Sequence, residues 1–297
     1  MQVFPHFTDR RRALQLGWYG LRHGVGVFDK LNKTNLFLVR QFRNIEIKCN
    51  VCGNQAKVWY EMLSVKERRE HKVGLLRETL ECLNCLSRMR YRIMAHGMLN
   101  EFGSRFGINA ASIADVGAQL KNIDILDTDA FSPVARILRD NKSYKMSSYL
   151  PDRPFGLLKD QDIYNIDLQK ISFPDMSFDI ILTSDVMEHV RSFDAANREI
   201  FRCLKPGGAH IFTVPFHEPE PWTRTLVDTS TADDIYLEPP QLHGDDHLSG
   251  KIPAYRIYGL ELLDDLRSLG FVASMIRIQS ALNGIFDGVY FIARRPA

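Results

Sequence analysis

The 297-residue chain is 45% hydrophobic and 25% charged, with a formal net charge of +2. This composition supports one large core with a smaller appendage, and a charge so near zero gives no global field toward nucleic acid or an anionic membrane. No apolar run approaches a membrane-spanning length, and the opening Met1 to His6 lacks an apolar stretch with a small-residue cleavage site, so a soluble cytoplasmic protein is expected.

In chain order, residues 1–44 are a basic N-terminal extension that reads as helical from 8 onward. Leu14, Leu16, Trp18, Leu21, Val25 and Phe28 fall at loose helical spacing, with Arg10, Arg11, Arg12 and Arg22 on the polar side. Two readings fit it. One is a helix that docks peripherally on a membrane or on a partner; the other, favoured because amphipathic helices are commonest as packing elements, is an extension laid on its own enzyme or a second subunit. Gly17, Gly20, Gly24 and Gly26 weaken a rigid helix, and the oligomeric state is left open.

Residues 45–92 hold four of the 5 cysteines in two Cys-x-x-Cys pairs. Cys49 and Cys52, followed by Gly53, form one knuckle; Cys82 and Cys85 form the other. Each turn aims two thiolates at one point, the glycine permits the tight backbone, and two knuckles complete the tetrahedral four-sulfur shell that zinc prefers. A closed shell has no position for water, so the expected Zn2+ is structural and the segment a zinc ribbon. A redox pair or an iron cluster is the competing reading, but a thioredoxin-like motif needs one Cys-x-x-Cys at a strand–helix junction. Arg88, Arg90 and Arg92 follow the second knuckle, where pairing with acids of the next domain is weighed above a nucleic-acid surface.

Residues 93–297 read as one domain. Met94–Phe102 and Ala110–Leu120 look helical, and from about 122 short apolar strands alternate with helical stretches, the pattern of a parallel α/β sheet. Strands are expected at Ile123–Thr128, Tyr144–Ser148, Phe178–Thr183, Ala209–Pro215, Val272–Ile278 and Gly288–Ala293. Helices are expected at Val134–Asp140, Ala195–Leu204 and Leu260–Leu269. The stretch 216–255, long, polar and rich in Pro, His and Asp, reads as a lid or substrate-binding insertion.

The stretch Phe173-Pro174-Asp175-Met176-Ser177-Phe178 through Thr183-Ser184-Asp185-Val186-Met187-Glu188-His189-Val190 has a clear logic. A Pro-Asp turn enters a continuously apolar strand, which ends in small polar residues where ligands bind in open α/β sheets. Glu199 to Gly208 follows as a helix ending in a Lys-Pro-Gly-Gly turn before the next strand. These segments resemble the class I, S-adenosylmethionine (SAM)-dependent methyltransferases related to the ubiquinone-biosynthesis enzymes. His243-Gly244-Asp245-Asp246-His247 followed by Tyr255-Arg256-Ile257-Tyr258, and Gly270-Phe271 before a late strand, resemble the closing segment of the same group. Cys82, Cys85, Ser87 and Arg90 match an element of zinc-ribbon methyltransferases whose first loop is poor in glycine.

The resemblance implies a Rossmann-like, seven-stranded methyltransferase sheet with an N-terminal zinc ribbon and helical extension, and SAM as cofactor. Asp167 would accept from the adenine amino group and Leu168 would pack on the ring; a solvated loop acid is the other reading of Asp167. The first strand and its loop, in the register Ile123 to Pro133, put Asp127, Thr128, Asp129 and Ala130 against the cofactor without the usual Gly-x-Gly. Ala114-Asp115-Val116-Gly117-Ala118 is nearer to that motif in letters, but its following strand comes too soon to leave room for a crossover helix. Ser147 and Ser148 stand where an acid for the ribose is usual, and Ser184 and Asp185 complete the cofactor edge.

Methyl transfer asks the protein to align an acceptor and, for a hydroxyl, to take its proton. His189 is the first candidate base and His247 the second. The His-Gly-Asp-Asp-His cluster itself reads as a lid hinge in preference to a metal site. The expected activity is SAM-dependent methylation of a small-molecule or saccharide-type acceptor, at oxygen. A nicotinamide oxidoreductase lacks its Gly-x-Gly-x-x-Gly loop here. The rival is a noncatalytic zinc-ribbon adaptor or nucleic-acid-binding protein on a degenerate methyltransferase fold.

Overall fold

The computed structural model describes residues 46–60, 76–159, 162–216, 220–244 and 251–297. The N-terminal extension and His247 lie outside the described residues. Strands β1 (Glu46–Lys48), β2 (Gln55–Tyr60) and β3 (Leu80–Cys82) make a three-stranded antiparallel sheet in the order β1-β2-β3, with the short helix α1 (Leu76–Thr79) before β3. Helix α2 (Met89–Phe106) then leads into the main domain and stops at Gly107, whose φ of 68° is the left-handed stop that glycine accepts without strain.

The main sheet is built from β4 (Ile125–Asp127), β5 (Tyr144–Ser148), β6 (Gly156–Leu158), β7 (Ile163–Asn165), β8 (Phe178–Ser184) and β9 (Leu204–Thr213), closed by β16 (Val272–Ser280) and β17 (Ile285–Arg294). Helices α3 (Pro133–Leu138), α4 (Phe193–Cys203) and α5 (Leu262–Ser268) join them. The order is β16-β17-β9-β8-β4-β5-β7-β6. Strands β7, β5, β4, β8 and β9 are mutually parallel, and β17 runs antiparallel to β9. The chain thus starts mid-sheet, winds outward over β5 and β7, and returns to the other side over β8 and β9. That is the doubly wound order, with its switch point between β4 and β8.

The central strands are buried on both faces. Ile180 and Leu182 join α2 in one core cluster, while Ile181 faces α4 and α5 in another. Ile47, Cys49, Val58 and Leu80 belong to the first cluster too, so the cysteine-bearing sheet and the main sheet share one core. Local signals set the helix starts: Ser132 accepts from the Ala135 N–H ahead of Pro133, and Ser192 accepts from that of Ala195.

Three expectations need correction. Ala110–Leu120 is not a helix but two 3-10 turns, because the Ile113 and Ala114 amides donate to Asn50 and Val51 of the first knuckle instead of to a helical ladder. The Lys-Pro-Gly-Gly turn lies inside β9 as a register shift opposite β8, with Gly207 at φ 74°. A Cβ on Gly208 would stand 2.8 Å from the Lys205 carbonyl, so the bulge needs glycine there. Finally, the main sheet has eight strands where seven are expected, because β6 pairs antiparallel with β7 at the edge.

The described residues of segment 216–255 carry small ribbons. β10 (Arg224–Thr225) pairs with β15 (Arg256–Ile257), β11 (Val227–Asp228) with β12 (Ile235–Tyr236), and β13 (Leu242–Gly244) with β14 (Lys251–Pro253). The insertion is tied to the turn after β8: Arg191 and Tyr255 both bind Asp234 at 2.7 Å, and the Tyr255 amide donates to the Glu188 carbonyl. Among the described residues, no helix is long and apolar enough to cross a membrane.

Candidate functional site

The four cysteines Cys49, Cys52, Cys82 and Cys85 converge, their sulfur atoms all within 4.8 Å of one another. Each knuckle is a tight turn. The Gly53 amide donates to the Cys49 carbonyl and the Leu86 amide to that of Cys82, with Gly53 at φ 75° and Leu86 at φ 62°. The Cys49 and Cys85 sulfur atoms stand 3.8 Å apart, and a tetrahedron with arms of about 2.3 Å has edges of about 3.8 Å. Asn84 donates to the Cys52 sulfur at 3.3 Å and Ser87 Oγ lies 3.2 Å from that of Cys85. Behind the second knuckle the fully buried Arg92 donates to the carbonyls of Ser87, Leu80 and Gly284, pinning the knuckle to the turn before β17.

The arginines after that knuckle are all engaged within the chain. Arg88 pairs with Glu81 at 3.0 Å and Arg90 with Glu78 at 2.9 Å. The latter contact belongs to a polar chain strung across the carboxyl ends of β4 and β8, at the switch point. Arg77 of α1 makes a two-pronged contact with Asp185, one arm at 2.5 Å, and Arg90 approaches the same carboxylate at 3.6 Å. Arg90 also donates to the Tyr91 hydroxyl, which donates to Asp129 at 2.8 Å. Asp185 sits in left-handed backbone at φ 54°, tolerable for Asp and fixed here by Arg77 and by Thr213 Oγ1 at 3.1 Å. Burial pushes its carboxyl up, yet the facing guanidinium of Arg77 outweighs that and holds it at about 2.

The other expected cofactor residues gather on the same edge. Asp127 is buried at the end of β4, bonded by the Tyr144 hydroxyl and by the Asp129 amide at 2.9 Å. Burial, and then the charge of Asp129, pushes its carboxyl up to about 7. The first three loop amides are used internally: Thr128 donates to the Leu182 carbonyl, Asp129 to Asp127, and Ala130 to the Ser147 carbonyl. Ser147 Oγ donates to the Asp127 carbonyl at 3.0 Å. Asp167, half-buried after β7, accepts from the Gln169 amide at 2.8 Å beside the buried Leu168. Ser184 ends β8 next to Thr213. Sequence reasoning missed Arg77, which no motif marks and whose partner lies 108 residues away.

The candidate base His189 stands one turn further on. Its Nδ1 lies 2.9 Å from the Pro253 carbonyl, which only accepts, so Nδ1 carries the proton and the Nε2 lone pair faces inward. There it meets His243 Nδ1 at 3.2 Å, the rings edge-on at 4.8 Å. Glu188 is 1% exposed, and among the described residues neither carboxylate oxygen has a hydrogen-bond partner. Burial, and then the charge of Asp185, pushes its carboxyl well above the usual range.

Residues 101–212, from the second half of α2 to the end of β9, match the methyltransferase-domain family, somewhat over a third of the chain. The doubly wound sheet agrees in kind with that resemblance. Over 96 residues the chain is 29% identical to phosphoethanolamine N-methyltransferase 1 of Arabidopsis thaliana, an alignment covering 32% of this chain and 19% of that protein. Over 65 residues it is 35% identical to the ubiquinone/menaquinone biosynthesis C-methyltransferase UbiE of Pseudoalteromonas translucida, covering 22% of this chain and 26% of that one. The chain therefore spans only about a fifth to a quarter of the curated relatives it matches. Among solved structures, an S-adenosylmethionine-dependent methyltransferase from Mesorhizobium loti superposes with a TM-score of 0.37 at 16% identity, covering 62% of this chain and 95% of that one.

Proposed function

We propose that the protein is a SAM-dependent methyltransferase whose acceptor is a polar small molecule of the saccharide type, methylated at oxygen. The observation that supports it most is the match over 101–212, because that stretch contains the expected cofactor residues from Asp127 to Asp185. The edge suits adenosine at Asp167, Leu168 and Ser147. The first three amides of the loop after β4 are engaged within the chain, so the cationic pair Arg77 and Arg90 is the group suited to the cofactor's carboxylate end. SAM supplies the activated methyl group; the chain binds it, orients the acceptor and receives its proton. His189 faces the acceptor in this reading, and the exposed Trp222 and Tyr236 of the insertion offer aromatic faces to a sugar ring. Structural Zn2+ in the four-cysteine site would hold the ribbon against the sheet through Arg92, the sulfur geometry fitting a closed tetrahedron.

The test is methyl transfer from SAM carrying an isotopically labelled methyl group into pools of sugars, carboxylates and peptides, read by mass shift. Label in the sugar pool supports the reading, and label only in peptides contradicts the acceptor class. Label nowhere contradicts the activity and favours a noncatalytic adaptor, for which the internally satisfied loop amides already speak.

A further inference from the structure

Glu188, His189 and His243 come from two distant segments, the turn after β8 and the β13 ribbon of the insertion, and present three ligand atoms to one point. Glu188 Oε1 lies 3.8 Å from His189 Nε2 and 3.9 Å from His243 Nδ1, and those two nitrogen atoms are 3.2 Å apart. The first two separations are too long for hydrogen bonds. They are the separations of two ligands sharing one ion. A point equidistant from the three atoms lies about 2.1 Å from each, the bond length zinc makes to imidazole nitrogen and carboxylate oxygen.

Three further features agree. The Glu188 carboxylate is buried with no hydrogen-bond partner among the described residues, and as an anion it costs several kcal/mol, roughly, unless a cation or a proton meets it. The Pro253 carbonyl holds the Nδ1 proton of His189, the outer contact that leaves Nε2 free of a proton and aimed as a ligand. The His243 side chain is 39% exposed against 2% for Glu188, so the cluster opens to solvent on one side.

We propose that Glu188, His189 and His243 form a binding site for a zinc-type divalent cation, separate from the four-cysteine site, that clasps the 216–255 insertion to the end of β8. Two imidazoles and one carboxylate suit zinc and its first-row neighbours. Three protein ligands leave a coordination position for water or an oxygen of the acceptor. A bound ion takes up the Nε2 lone pair, so in that state His189 is a ligand and not a proton acceptor. The geometry carries the inference by itself and does not rest on SAM binding.

The test counts metal in the full chain. Wild type, His243→Ala and the double variant Cys49→Ser/Cys82→Ser are equilibrated with Zn2+, freed of excess, and analysed by mass spectrometry of the metal. His243→Ala is expected to hold one equivalent less than wild type, whatever the cysteine site contains. His243 is on the surface of a two-stranded ribbon, so its replacement leaves the core intact. Loading with Co2+ separates the two sites: thiolate-to-cobalt absorption persists in His243→Ala, while the weaker ligand-field bands of a nitrogen–oxygen site vanish. Glu188→Gln gives the same loss. Equal metal counts and identical cobalt spectra in wild type and His243→Ala would overturn the proposal.

Discussion

The two ends of the main sheet are both held by ion clusters, but the clusters differ in kind. At the amino ends, Lys205 bridges Asp124 and Asp179, and Arg105 adds a second contact to Asp179. These partners belong to the sheet and α2, and Lys205 and Asp124 are 31% and 45% exposed. At the carboxyl ends, Arg77 and Asp185 are each only 12% exposed, and Arg77 comes from the cysteine-bearing segment. The amino-end cluster is a brace whose hub Asp179 is only 9% exposed but whose Lys205 reaches water. The carboxyl-end cluster is a seal, and it makes the proposed cofactor edge depend on a neighbouring subdomain.

The largest way to break that difference is to remove the ribbon's anchor. In Cys49→Ser/Cys82→Ser the metal-linked stability of the ribbon is lost, about 10 kcal/mol in small zinc domains, and the ribbon is expected to unfold at moderate temperature. Calorimetric melting with zinc analysis checks this: an unchanged transition would show that the cysteines hold nothing. Next in size, Asp185→Asn leaves two buried guanidinium groups sharing Glu78. A loss of about 3–5 kcal/mol is expected in denaturant unfolding, because an uncompensated buried charge remains. A loss below about 1 kcal/mol would place the seal in the same class as the brace.

The third prediction concerns pH. The carboxyl of Asp127 is raised from 3.8 to about 7 in the folded chain, by burial first and then by Asp129. The unfolded chain therefore gives up this proton near pH 4 while the folded chain keeps it. The stability this group contributes is full below about pH 4 and declines until about pH 7. Asp127→Asn keeps an acceptor for Tyr144 but does not titrate. Its melting temperature relative to wild type should rise across that window, and a constant offset would contradict the assignment. The smallest effect is at the brace: Lys205→Met should cost about 1 kcal/mol or less, since Arg105 still faces Asp179.

How much of this was legible in the sequence follows from the range of the interactions. Phe178–Thr183 and Tyr144–Ser148 are marked by their own residues, a continuous apolar run and an apolar segment ending in serines, and both fold as strands, the first one residue longer than read. The knuckles are equally local, two cysteines and a turn. The spacing of Ala110, Ile113, Val116 and Leu120 looks helical because those residues do share a buried face. The knuckle backbone claims their amides, though, and a pattern in one segment carries no trace of that. β6 and β7 span only three residues each, too short for an alternation to register.

The site shows the same limit. Asp185 and His189 stand close in the chain and were legible as site residues, while Glu188 between them carried no signal of its own. Arg77, which seals the edge, has no motif, and His243, legible only within the His-Gly-Asp-Asp-His segment, reaches Glu188 and His189 from 54 residues beyond the latter.

The central claim is that the carboxyl edge binds an adenosyl cofactor and that Arg77 completes it. Titration calorimetry of S-adenosylhomocysteine into wild type and Arg77→Gln tests it directly. The account predicts binding to wild type, weakened about tenfold to a hundredfold in Arg77→Gln by loss of one charge-assisted contact. Absence of binding to wild type at millimolar ligand, or equal affinity in the two proteins, would contradict it.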